Sequence, residues 1–257
     1  MAWDPDHIDF ISDYCDRWCE RCPLTHKCAA FARESDPDEI DEHSEAVERA
    51  MEDLRVELSL PEPPERTWVE EILNAPEPTE AERQELNREF DERRARIRSD
   101  PMMTAASEYS IDAYTWLKLY GDLTRTRAAA LLVEHGDSPE SAVVRMEVEG
   151  VIEALDVVRW DSMLIAAKLR RALDGKVDDE EAFGPDPAQT DWNGSAKLTL
   201  ILAERSEAGW RLIARWAPET DIATQLANTL AALRVDVDRA FPMARRFIRP
   251  GFDEPSW

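Results

Sequence analysis

From Met102 onward apolar residues return every third or fourth position over long stretches separated by short polar ones. That period places the apolar side chains on one stripe of an α-helix. It predicts four long helices, over about 104–135, 139–174, 195–217 and 221–248. Gly136-Asp137 is read as the end of the first, and Ser138-Pro139-Glu140 as a strong start for the second. Asp174-Gly175 reads as the stop of the second, because Gly175 is free to take the left-handed conformation. The acidic stretch from Lys176 to Asn193, with Gly184-Pro185-Asp186-Pro187, reads as a polar linker. Pro218 separates the third helix from the fourth, and Pro242 should kink or divide the fourth. Four long helices with this spacing imply a bundle.

Upstream the pattern is more polar. Thr79-Glu80-Ala81-Glu82 has the spacing of a capping box, and the helix it opens runs to about Arg98. Its large apolar residues are Leu86, Phe90 and Ile97, so it should lie on the outside or meet a partner. Residues 34–66 carry 13 Asp/Glu against 3 Arg. Within them, a helix from about Pro37 to Leu58 would align Ile40, Val47, Met51, Leu54 and Leu58. The run Pro61-Glu62-Pro63-Pro64 then acts as a semi-rigid connector, and a short helix around Trp68 to Leu73 follows. The expected organisation is all-α: an N-terminal four-cysteine metal module over 1–33, an acidic helical connector over 34–101, and a C-terminal four-helix bundle over 102–257.

Composition narrows the partners. The 257 residues carry 31 Lys+Arg and 55 Asp+Glu, a net charge of −24. Phosphate recognition runs on Lys and Arg, so nucleic acid and anionic membranes are not expected partners; a protein partner stays open. No apolar run approaches the roughly 20 residues of a membrane span. The first residues also lack the basic and apolar regions of a signal peptide, so the expected location is cytoplasmic. Only 8 glycines are present, which argues against Gly-rich phosphate loops and turn-rich β folds.

The sharpest chemical feature lies between Tyr14 and Phe31. Cys15, Cys19, Cys22 and Cys28 are the four cysteines of the chain, spaced C-x3-C-x2-C-x5-C. In a reducing compartment such a cluster reads as metal-binding or catalytic before it reads as disulfides. Cys15, Cys19 and Cys22 stand at i, i+4 and i+7, which on a helix would share one face. Pro23 opposes continuation of that helix, and the loop to Cys28 can return a fourth sulfur. Structural zinc sites with four cysteines usually come as two short pairs across a longer loop. One compact run suits a cubane instead, whose four irons each take one thiolate. The expected cofactor is a 4Fe-4S cluster, with zinc as the alternative and redox-active thiols third. His26 could replace one cysteine, although a solvated loop histidine is the plainer reading. Tyr14 and Trp18 could shield the site or simply pack.

The stretch from Cys19 to Ala30, C-x2-C-P-L-x3-C-x-A, resembles the iron-sulfur loop of the adenine-specific and endonuclease-III-type DNA glycosylases. Their full pattern is C-x6-C-x2-C-x5-C, and the first spacing here is x3. The resemblance implies a cluster type and no glycosylase activity, since no glycosylase catalytic domain accompanies it. Cys15, Cys19 and Cys22 also match the C-x3-C-x2-C spacing of radical S-adenosylmethionine enzymes. That family leaves one iron open for its cosubstrate, whereas Cys28 would fill it. The alternating strands and helices of a barrel are also missing from the pattern, so this reading is set aside.

In the bundle region Tyr109, Trp116 and Tyr120 recur near helical spacing, with Asp112 expected on the same side. Asp156, Trp160 and Lys168 interrupt the second apolar helix, and Lys197, Glu204 and Arg205 the third. They predict either a pocket lined by aromatic and charged groups, or exposed faces with an internal salt bridge or two. A ferritin-like di-metal site is excluded, because the region's one histidine, His135, has Leu132 three residues before it. The end, from Phe247 to Asp253, should dock on the bundle or bind a partner. The expected function is an iron-sulfur protein for redox or electron transfer. A zinc-stabilised interaction or scaffold protein is the rival, and an enzyme using a bundle pocket comes third.

Overall fold

A computed structural model describes residues 7–8, 10–35, 78–135, 141–178, 186–217 and 220–253. The predicted helix over 37–58, the proline run after it, the short helix at Trp68, and the boundary signals at Gly136 to Glu140 lie outside the described residues. The described elements are all helices or helical turns, with no strand among the described residues. The chain divides into two units, one of Met1–Asp9 with Cys19–Arg94 and one of Phe10–Trp18 with Ala95–Trp257.

The first unit contains 3-10 turns at Cys19–Arg21 and Thr25–Lys27, helix α2 (Ala29–Ser35) and most of α3 (Glu80–Arg98). The capping box forms as the sequence predicts. Thr79 N donates to Glu82 Oε2 at 2.7 Å, and Glu82 N donates to Thr79 Oγ1 at 3.3 Å. The hydroxyl and backbone bonds from Thr79 hold the Glu82 carboxyl below its ordinary range. Leu86 and Phe90 lie exposed on this polar helix.

The second unit opens with the short helix α1 (Ile11–Tyr14). The predicted first bundle helix is α4 (Pro101–Trp116), a π-helical turn at Leu117–Gly121, and α5 (Asp122–His135). Asp100 caps α4 by accepting from Met102 N at 2.8 Å, and Pro101 stands where a missing N–H loses nothing. The other long helices are α6 (Ser141–Asp178), α7 (Asp191–Ile213) and α8 (Thr220–Ala240). Helices α4, α6, α7 and α8 form a ring in which each packs on two others: α4 on α6 and α8, α7 on α6 and α8. Trp116, Leu155, Ile165, Leu202, Trp210 and Leu230 are fully buried at its centre. None of the described helices is long and apolar enough to cross a membrane.

One expected boundary is corrected. Asp174-Gly175 does not end the second long helix, which continues to Asp178. Packing overrides the stop signal, because Gly175 is buried and Lys176 reaches across to α8. Lys176 Nζ donates to Ala240 O at 2.6 Å and lies 5.0 Å from the centre of the Phe241 ring. Those contacts cap the end of α8 and offset the roughly 1 kcal/mol cost of an internal helical glycine. Pro242 does divide the last predicted helix, leaving α8 and a 3-10 turn at Ala244–Arg246.

The C-terminal segment docks. Phe247 is buried, and a Cβ on Gly194 would lie 2.9 Å from its Cζ, so the ring needs glycine beneath it. Lys197 Nζ donates to Asp253 Oδ2 at 2.6 Å and also holds Phe247 O. Arg249 donates to Asp253 Oδ1 at 2.8 Å. Burial would raise the Asp253 carboxyl, but the bonds from Arg249 and Lys197 outweigh it and hold the group at about 2. Two outcomes follow from these contacts. Gly194→Leu overpacks the Phe247 seat and should lower the unfolding free energy by about 1–3 kcal/mol in urea titration. Asp253 is depressed from 3.8 to about 2, so its stabilisation is full above 3.8 and lost as pH falls toward 2. Urea unfolding across that window should show Asp253→Asn with a flatter acid limb than the wild type; equal limbs would refute the assignment.

Candidate functional site

The cysteine segment is not one helix. α1 ends at Tyr14, Cys15 is extended (φ −98°, ψ 162°), and Arg17 takes the left-handed conformation at φ 55°. The geometry of Cys15, Cys19 and Cys22 on one helical face therefore does not form. The local reason is Asp16, whose carboxylate accepts from Trp18 N at 3.2 Å and turns the chain. Cys15 falls in the unit that holds the bundle; Cys19, Cys22 and Cys28 fall in the other.

In that other unit two tight turns follow one another. Cys22 N donates to Cys19 O at 3.2 Å, Lys27 N to Leu24 O at 2.9 Å and Cys28 N to Thr25 O at 3.2 Å. Pro23 sits between them, where its fixed φ and missing N–H suit a turn. Two sulfurs accept backbone N–H groups: Cys22 Sγ from Leu24 at 3.4 Å, and Cys28 Sγ from Phe31 at 3.4 Å. Cys28 is buried, and Cys19 and Cys22 are half-buried. None of the four cysteines is in a disulfide. His26 is exposed. Among the described residues no three His, Cys, Asp or Glu side chains are grouped closely enough to hold a metal ion. The local turns supply thiols with N–H donors but not, as they stand, a closed ligand set.

The peptide around Cys15 is held by the bundle unit. Lys168 Nζ, from α6, donates to Asp13 O at 2.8 Å and Ser12 O at 3.2 Å, capping the last carbonyls of α1. Lys168 is only 8% exposed; burial pulls its pKa down, while the Cys15 sulfur and Asp13 push it up. Arg171 pairs with Asp13 at 3.1 Å. On the far side of Cys15, Trp160 Nε1 donates to Asp16 O at 2.8 Å, and Trp18 stacks on Trp160 with ring centres 5.2 Å apart. Tyr14 packs against Phe247 and Phe252, at 5.8 and 6.3 Å. Both aromatics thus have ordinary packing partners.

Arg205 of α7 joins this peptide to the bundle interior. Its Nη1 donates to Asp16 Oδ2 at 2.7 Å, and its Nε donates to Asp161 Oδ2 at 2.7 Å. A second Arg205 bond to the Asp161 carboxylate makes the pair bidentate, and Ser206 Oγ adds a donor at 3.0 Å. Asp161 has no solvent exposure. Burial pushes its carboxyl up, and the bonds and charge of Arg205 oppose that rise. Burial would lower Arg205, but Asp161 and then Asp16 hold it above its ordinary value. Nearby, the buried Tyr109 hydroxyl accepts from Trp210 Nε1 at 2.9 Å. Burial keeps that phenol well above its usual range. A polar chain therefore runs from Ser206 through Asp161 and Arg205 to Asp16.

The other polar residues noted from sequence fall on exposed or part-exposed faces. Asp112 is exposed, not on the side of the buried Tyr109 and Trp116. Asp156 pairs with Arg125 at 2.6 Å, and Glu204 with Arg245 at 2.8 Å. Sequence reading missed Asp161 as the buried acid. Its signal was legible: Asp161 stands on the same helical stripe as Val158 and Ile165.

No protein family, no curated protein and no solved structure matches this chain.

The ion pair sets a stability expectation. Arg205→Met strands the buried Asp161 carboxylate and should cost about 3–5 kcal/mol in chemical unfolding. The double variant Asp161→Leu/Arg205→Met should regain most of that loss. Additive losses would show that the pair is not the linked unit described.

Proposed function

We propose that this protein holds a 4Fe-4S cluster on Cys15, Cys19, Cys22 and Cys28 and serves redox or electron transfer in a reducing, cytoplasmic setting. The observation that carries this reading is a compact run of four thiols, none of them in a disulfide, in which two sulfurs already accept backbone N–H bonds. Hydrogen bonds to ligand sulfurs are one of the levers that set a cluster's potential. The bound cluster would supply one-electron transfer. The chain's own part is to present the sulfurs and direct N–H groups at Cys22 and Cys28. Because no closed ligand set exists among the described residues, loading is proposed to gather the sulfurs, with metal binding coupled to local folding. The net charge of −24 favours a protein partner with a basic docking face.

Anaerobic purification tests the reading. The expected protein is brown, absorbs broadly near roughly 400 nm, and carries iron and sulfide. Replacing any one of the four cysteines by serine should lower the iron content. A colourless protein with one zinc per chain would remove the redox function and leave a zinc-stabilised interaction or scaffold protein.

A further inference from the structure

We infer that Lys168 and Arg205 are positioning residues for Cys15: the bundle presents this sulfur by clamping the peptide on both sides of it. The inference rests on the proposed metal-binding role of Cys15, but its geometry belongs to the bundle unit alone. On the N-terminal side, Lys168 gathers the carbonyls of Ser12 and Asp13 at 3.2 and 2.8 Å. On the C-terminal side, Arg205 holds the Asp16 carboxylate and Trp160 holds the Asp16 carbonyl, at 2.7 and 2.8 Å. Cys15 lies between the two grips, in extended backbone. A left-handed non-glycine residue such as Arg17 (φ 55°) is disfavoured, and persists where its neighbours are fixed. Here those neighbours are Asp16 and the Trp18 ring stacked on Trp160.

The two grips differ from ordinary surface ion pairs. Lys168 is largely buried on α6, and its donors go to backbone carbonyls, so it serves the shape of the peptide and not the sequence of its side chains. Arg205 is fixed in turn by the fully buried Asp161, which Ser206 also bonds, so its Nη1 points at Asp16 from a rigid base. Arg205 also neutralises Asp161 within the bundle, whereas the Lys168 bonds go to the peptide that carries Cys15.

Amide hydrogen exchange on the metal-free chain, followed by reconstitution with ferrous iron and sulfide, tests the clamp. Lys168→Met should lower protection over residues 12–18 by at least about tenfold while α6 and α7 keep theirs. Asp16→Asn, which leaves the Asp161–Arg205 pair intact, should loosen the same stretch. On reconstitution both variants should bind less iron than the wild type. Lys168→Arg, which keeps a donor for the same carbonyls, should restore both protection and iron content. Unchanged exchange over 12–18 in both variants would overturn the clamp. Loosened exchange with wild-type iron content would overturn its role toward Cys15. A wild type that takes up no iron would sink the cluster reading instead, while exchange still decides whether the peptide is held.

Discussion

A carboxylate with no access to water has to be neutralised from within, and in this fold that demand falls on Asp161. Stranding such a charge costs several kcal/mol, so its position dictates that of its partner. Arg205 answers with a bidentate grip, and the grip leaves one face of the guanidinium for Asp16. An ion pair inside the bundle unit thereby fixes a short peptide far earlier in the sequence, through the Arg205–Asp16 bond that spans 189 positions. Lys168, Trp160 and Arg171 complete the hold, and the held peptide is the one that carries Cys15.

Buried pairs of this kind contribute little net stability compared with an apolar core of the same shape. Their value is in specifying one arrangement over others. Apolar contacts close the ring tightly at places such as Gly209, where a Cβ would lie 3.0 Å from Val158 Cγ1 of α6. What the polar chain from Ser206 to Asp16 adds is a defined seat for residues 10–18. The C-terminal segment is seated by similar means, through Lys197 and Asp253, and brings Phe247 and Phe252 against Tyr14.

Much of the helical plan was legible because period and caps are local signals. The Thr79–Glu82 capping box, the break at Pro242 and the long apolar helices follow from neighbours within a few residues. The error at Asp174-Gly175 came from a contact no local rule contains, the reach of Lys176 to Ala240. Asp112 was misplaced because one helical face was extrapolated without knowing which side α6 and α8 would cover. The cysteine spacing was legible as chemistry, but its expected helical presentation was not the structure's, since Asp16 and Arg17 turn the chain after Cys15. Asp161 was visible as a charge on an apolar stripe; its partners Asp16 and Arg205 were not, because tertiary pairing leaves no period in the sequence.

The chain thus combines a bundle that seats one thiol with local turns that direct backbone N–H groups at two others. Native mass spectrometry of anaerobically isolated protein tests the combination most directly. The account predicts a mass above that of the bare chain by four irons and four sulfides. A mass equal to the bare chain, or raised by a single zinc, would contradict it.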